Sequence, residues 1–226
     1  MIYIFTLVLA FCSIVYELLL GQTLSAFLGN TVLRYSVTIG LYLFSMGVGA
    51  IIAEGRFVKH PIITLQKVEI LLTLLGSLSM VMLHILDWLS PPEIVFSLFA
   101  HSLIILIGIL TGFEIPLLMV ARGLEKANTE NTVLGVDYLG AFIGTIVFAF
   151  VFYPLLGLVN TALFVALLNA LVGALLITQQ NKVDEPKQRE HRALVVTQAC
   201  LVVLLIVGLI KSSTISEGLL QLYLRG

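Results

Sequence analysis

Runs of about 20 apolar residues, the length a helix needs to cross a hydrocarbon core of roughly 30 Å, recur along most of this 226-residue chain. Seven such runs are visible, near residues 2–24, 33–54, 66–86, 93–119, 132–155, 158–178 and 194–211. Beta-barrel alternation is absent, so helices must satisfy the backbone in the bilayer. Only 11% of residues are charged and mean hydropathy is +1.10, against roughly 25% charged in a soluble domain. The expected fold is all-α: a polytopic transmembrane helix bundle of about seven spans, six in the bundle and one C-terminal tether.

Charge segregation orients the spans. Arg56, Lys59 and Lys67 lie between the second and third, Arg122 and Lys126 between the fourth and fifth, and Lys182, Lys187, Arg189 and Arg192 after the sixth. These nine of the twelve basic residues occupy alternate loops, which the positive-inside rule assigns to the cytoplasm. A multi-pass protein of a bacterial inner membrane with a cytoplasmic N-terminus is expected. The first run lacks the basic start and small-residue exit of a cleaved signal. Three segments follow: a bundle over 1–178, a polar loop over 179–192, and a seventh span with a short amphipathic tail over 193–226. Ile215, Leu219, Leu220 and Leu222 give the tail its apolar face.

Four acidic residues interrupt apolar runs: Glu17, Glu69, Glu114 and Asp137. A carboxylate at membrane depth costs about 2.5 to 3.5 kcal/mol on the lenient insertion scale and is functional by default. Residues three and four apart share a helix face. Thr6, Ala10, Ser13, Glu17 and Gly21 make one polar or small stripe, and Thr38, Tyr42, Ser45, Gly49 and Ala53 a second. Gln66, Glu69, Thr73, Gly76, Met80, His84 and Asp87 make a third. The stripes serve either helix packing or an interior site. Gly40 and Gly47, and the Gly140-x-x-x-Gly144 pair, are candidate close-packing positions. Gly112 and Pro116 flank Glu114 and predict a kink or break there, a device that transporters use at ion and substrate sites and that ordinary packing also uses.

No phosphate or dinucleotide cradle, metal-type spacing or catalytic triad is visible, and the short basic loops carry no interleaved aromatics. No catalytic residue, metal, cofactor or nucleic-acid partner is expected; the bilayer is the expected partner. Cys12 and Cys200 both lie inside apolar runs, as small hydrophobes.

The segments Tyr16-Glu17-Leu18-Leu19-Leu20-Gly21-Gln22, Leu28-Gly29-Asn30, Gly40-Leu41-Tyr42-Leu43-Phe44-Ser45-Met46-Gly47-Val48-Gly49, Gly112-Phe113-Glu114-Ile115-Pro116-Leu117 and Asp137-Tyr138-Leu139-Gly140-Ala141-Phe142-Ile143-Gly144 together resemble the membrane portion of bacterial spermidine synthase-like proteins. In that family a transmembrane domain, sometimes described as a fused major facilitator-like region, precedes a soluble polyamine aminopropyltransferase domain. The resemblance runs over nearly the whole chain, and Glu217 to Tyr223 is similar to the linker that leads onward. The soluble domain's Gly-rich and acidic motifs are not among these residues, so aminopropyl transfer is not expected of them alone. Two readings stay open: a module that handles or transports polyamine-like cations through its interior carboxylates, which could also carry protons, or a non-catalytic anchor for an aminopropyltransferase.

Overall fold

The computed structural model describes residues 1–55, 57–123 and 130–211. Arg56, Lys126 and the amphipathic tail expected after residue 212 lie outside the described residues. Within them the chain is helical, with no strand. Seven α-helices follow in order: α1 Ile2–Leu28, α2 Thr31–Ala53, α3 Pro61–Trp88, α4 Glu93–Gly123, α5 Glu130–Val147, α6 Gly157–Leu175 and α7 Gln188–Ile210. Six stretches are long and apolar enough to cross a membrane by length and composition, with Glu130–Lys182 counted as one. That stretch folds back on itself. A π-helical segment, Phe148–Leu156, ends at Gly157 with φ +71°, a conformation that glycine adopts without a Cβ penalty. The Phe152 and Phe164 rings then meet 5.3 Å apart, although twelve residues of straight helix would span about 18 Å.

The second sharp turn joins α1 to α2. Gly29 and Asn30 both take positive φ, +67° and +49°, and the Asn30 side chain accepts the Leu33 N–H at 3.3 Å, capping α2.

Helix α1 is the axis of the bundle, packing against α2, α4, α5 and α6. Its stripe of Thr6, Ala10, Ser13, Glu17 and Gly21 is buried. The buried residues of α2 are Thr38, Tyr42, Ser45, Gly49 and Ala53 alone, so one stripe faces inward while Leu43, Phe44 and Ile51 point out. Close approach of α2 and α4 rests on three glycines. A Cβ on Gly49 would strike the Ile109 carbonyl, one on Gly112 the Met46 carbonyl, and one on Gly108 the Ser45 side chain. Gly140 and Gly144 play the same part where α5 meets Leu7, Ala10, Phe11 and Ile14 of α1.

Two expectations change here. Gly40 and Gly47 have no atom within 4 Å of an added Cβ, because they lie on the outward side of α2; the close contact falls on Gly49. Of the kink or break expected beside Glu114, the break does not occur: helix α4 runs continuously from Glu93 to Gly123 with Pro116 inside it. Neighbouring helices in a bundle re-satisfy what a proline frees, and Leu117 and Leu118, buried beyond it, hold the helix to the core. The irregular winding occurs instead at Phe148–Leu156, around Pro154.

The basic loops meet at one end of the bundle. Lys182 Nζ donates to the Ala121 carbonyl at 3.0 Å, His60 lies 3.1 Å from Asp184, Lys67 lies 2.6 Å from Glu190, and the Arg122 guanidinium sits 4.6 Å over the Tyr3 ring beside the N-terminus. At the other end Arg34 pairs with Glu93 at 3.1 Å, and Gln22 bridges the hydroxyls of Tyr35 and Tyr153. Glu93 remains 71% exposed, so breaking that pair with Glu93→Gln is expected to cost under about 1 kcal/mol in a double-mutant cycle with Arg34→Gln.

Helix α7, expected to be a tether, exposes most of its surface but is not detached. His191, Gln198 and Leu205, spaced seven apart, are its buried residues, and they pack it on α3 and α6.

Candidate functional site

Four helices enclose a cavity of about 220 Å³ whose lining includes Ser13 and Glu17 of α1, Tyr42 of α2, Thr111 and Glu114 of α4, and Asp137 of α5. Its construction follows from helical spacing. Ser13 and Glu17, and Thr111 and Glu114, are one turn apart on their helices. Asp137 precedes Gly140 by three residues, so the glycine face that seats α5 on α1 also carries Asp137 inward. The glycine contacts of α4 bring Glu114 against α1 and α2.

The polar contacts are few. Ser13 donates its hydroxyl to Glu114 Oε2 at 2.9 Å, and the Tyr42 hydroxyl donates to the Ser13 carbonyl at 2.9 Å. Glu114 Oε1 is buried without a hydrogen-bond partner among the described residues. Glu114 is 3% exposed and Glu17 6%, and no ion pair joins either of them or Asp137 to a basic side chain among the described residues. Three carboxyl groups thus share one space without an internal cation. An uncompensated buried carboxylate is costly, so the cavity is chemically suited to a cationic guest or to protons.

Its dimensions narrow the guest. At about 220 Å³ it lies below the roughly 300–1,000 Å³ of drug-sized pockets and would hold about seven waters by liquid volume. The lining of α1 runs from Ala10 to Glu17, about 10 Å of helix rise, and apolar Ile14, Met46 and Ile115 line the same cavity. Slim chains with charged groups and methylenes between them match such a slot.

The chain is similar to proteins named polyamine aminopropyltransferase. It is 39% identical to one from Leptospira interrogans over 171 residues, 37% identical to one from Streptomyces coelicolor over 177 residues, and 31% identical to one from Corynebacterium efficiens over 221 residues. These matches cover 74%, 74% and 93% of this chain but 33%, 32% and 41% of the relatives. The chain therefore spans about a third of the length of most curated relatives it matches. No family model matches, and no solved structure does.

Glu69, the fourth of the candidate carboxylates, is not among the residues lining the cavity, although it lies close enough to Glu114 for the two charges to interact. It is fully buried on α3 and accepts from Asn169 Nδ2 of α6 at 2.8 Å, so the expected grouping of four is a group of three plus one. Sequence reasoning placed Tyr42 and Ser13 on inward stripes without linking either to Glu114. It took His191 for a loop residue; its sevenfold spacing to Gln198 and Leu205 was the available signal. His101 is bonded through Nδ1 to the Ser97 carbonyl at 2.6 Å, an interior histidine with a local partner. No cluster of three metal-type ligands occurs among the described residues.

Proposed function

We propose that the helices cross a bacterial inner membrane with the basic end in the cytoplasm, and that Glu17, Glu114 and Asp137 bind a small organic cation of the polyamine class for handling or transport. The observation that carries this reading is the shared cavity of three carboxyl groups with no basic partner among the described residues. The names of the relatives supply the polyamine class, and the apolar wall suits its methylene spacers. The meeting of the three basic loops and the N-terminus at one end supports the orientation. A cysteine at position 34 is expected to react with a membrane-impermeant maleimide from outside spheroplasts; reaction only from the cytoplasmic side would reverse the topology.

Full-length chain in nanodiscs is expected to bind spermidine or putrescine, and the affinity is expected to fall as pH is lowered, since protonation removes the anions that hold the cation. Absence of binding at millimolar ligand would remove the reading. The relatives' greater length supports a second one, a membrane anchor for an aminopropyltransferase. Co-purification with such an enzyme without polyamine binding would favour it.

A further inference from the structure

Seven buried side-chain atoms with no hydrogen-bond partner among the described residues lie on α3, α6 and α7, outside the lining of the cation cavity: Gln66 Nε2, Glu69 Oε1, Thr73 Oγ1, Asn169 Oδ1, His191 Nε2, and both amide atoms of Gln198. All six residues are at 0% exposure. Direct contacts tie them into one seam. Gln66 Oε1 meets His191 Nδ1 at 2.8 Å, Asn169 Nδ2 donates to Glu69 Oε2 at 2.8 Å, and the Gln198 side chain lies against Gly173, one turn from Asn169. Gln66, Glu69 and Thr73 share one face of α3. The next position on that face is Gly76, where the Tyr16 ring packs with its hydroxyl also unpartnered.

Buried polar atoms are seldom left unpaired, because each one forfeits its hydration. The partner that fits must both donate and accept. Glu69, Asn169 and Gln198 present oxygens, and His191 Nε2 is an acceptor in the tautomer whose Nδ1–H donates to Gln66. Gln66 and Gln198 present unpartnered N–H groups along the same seam. A bare metal ion would satisfy the oxygens and be repelled by the amide hydrogens; water satisfies both. At the basic end the seam begins beside the Lys67–Glu190–Lys187 ion cluster, where Lys67 is 52% exposed, and Gln66 and His191 are the sequence neighbours of Lys67 and Glu190.

We propose that the α3–α6–α7 seam holds a chain of ordered water joining His191 at the basic end to Glu69, a proton path to a carboxyl group outside the cation cavity. Each water accepts one proton and releases one, so protons reach and leave Glu69 with no net movement of water. Cys12 and Tyr16 of α1 and Glu114 of α4 are the titratable groups that the other helices set near this space, with Cys12 Sγ 3.7 Å from the Val165 carbonyl of α6 and Glu114 close enough to Glu69 for the two charges to interact.

Radiolytic hydroxyl labelling of the full-length chain in nanodiscs tests the water without polyamine and without any variant. Tyr16 and His191 are expected to be labelled severalfold faster than Phe5, an apolar ring of the hydrophobic core that is as deeply buried. Labelling no faster than Phe5 would overturn the proposal, as would its loss when sodium chloride replaces choline chloride, the signature of a bound cation. Infrared difference spectra between acidic and basic buffers test the proton. A carboxyl signal that is absent from Glu69→Gln is expected to follow bulk pH and to do so more slowly in His191→Phe; a Glu69 that is silent to pH would overturn the path.

Discussion

Glu114→Gln is expected to weaken spermidine binding by at least about thirty-fold, equivalent to about 2 kcal/mol, the lower end of the cost of removing one partner from a buried charge pair. Glu114 sits among α1, α2 and α4 and is the best enclosed carboxylate of the cavity, with one oxygen held by Ser13 and the other unpartnered. The amide keeps the shape and can still accept from Ser13, so thermal stability should change little. Isothermal titration alongside thermal unfolding separates the two effects. Lost binding with an unfolded variant would speak only to folding, and Ser13→Ala, which leaves the charge in place, should then bind within severalfold of the unsubstituted chain.

The second large effect concerns the α2–α4 seam. Gly112→Val places a Cβ against the Met46 carbonyl, and Gly49→Val places one against the Ile109 carbonyl. Overpacking usually costs about 1–3 kcal/mol, and backbone atoms cannot rotate aside as a side chain can, so each variant is expected to lose about 3 kcal/mol or more. Gly47→Ala, where an added Cβ meets nothing within 4 Å, should be neutral or gain up to about 1 kcal/mol from helix propensity. Unfolding midpoints in one detergent compare all three. Equal loss in Gly47→Ala and Gly49→Val would contradict the assignment of the packing face.

Periodicity made the inward faces of α1 and α2 legible, since a 3.6-residue repeat says which residues share a side. It does not say which helix lies opposite. That is why Glu69, on a face as polar as that of Glu17, reads as one of the same group although its bonded partner is Asn169 of α6. The same limit misassigned Gly40 and Gly47: their sequence contains the small residues of a packing motif, but the neighbour approaches Gly49. Local chemistry at Pro116 predicts a kink or break in α4, and the packed environment carries the helix through it without a break. By contrast, the carboxylates themselves stood out because charge in an apolar run needs a reason whatever the tertiary arrangement.

Equilibrium dialysis of radiolabelled spermidine against nanodiscs carrying the unsubstituted chain, Glu17→Gln, Glu114→Gln, Asp137→Asn and Glu69→Gln measures the cavity's role most directly. Glu17, Glu114 and Asp137 line one space and Glu69 does not. The expected result is saturable binding by the unsubstituted chain, loss or strong weakening in the first three variants, and near-normal affinity in Glu69→Gln. Spermidine binding that is absent from the unsubstituted chain, or that survives all three cavity substitutions, would contradict it.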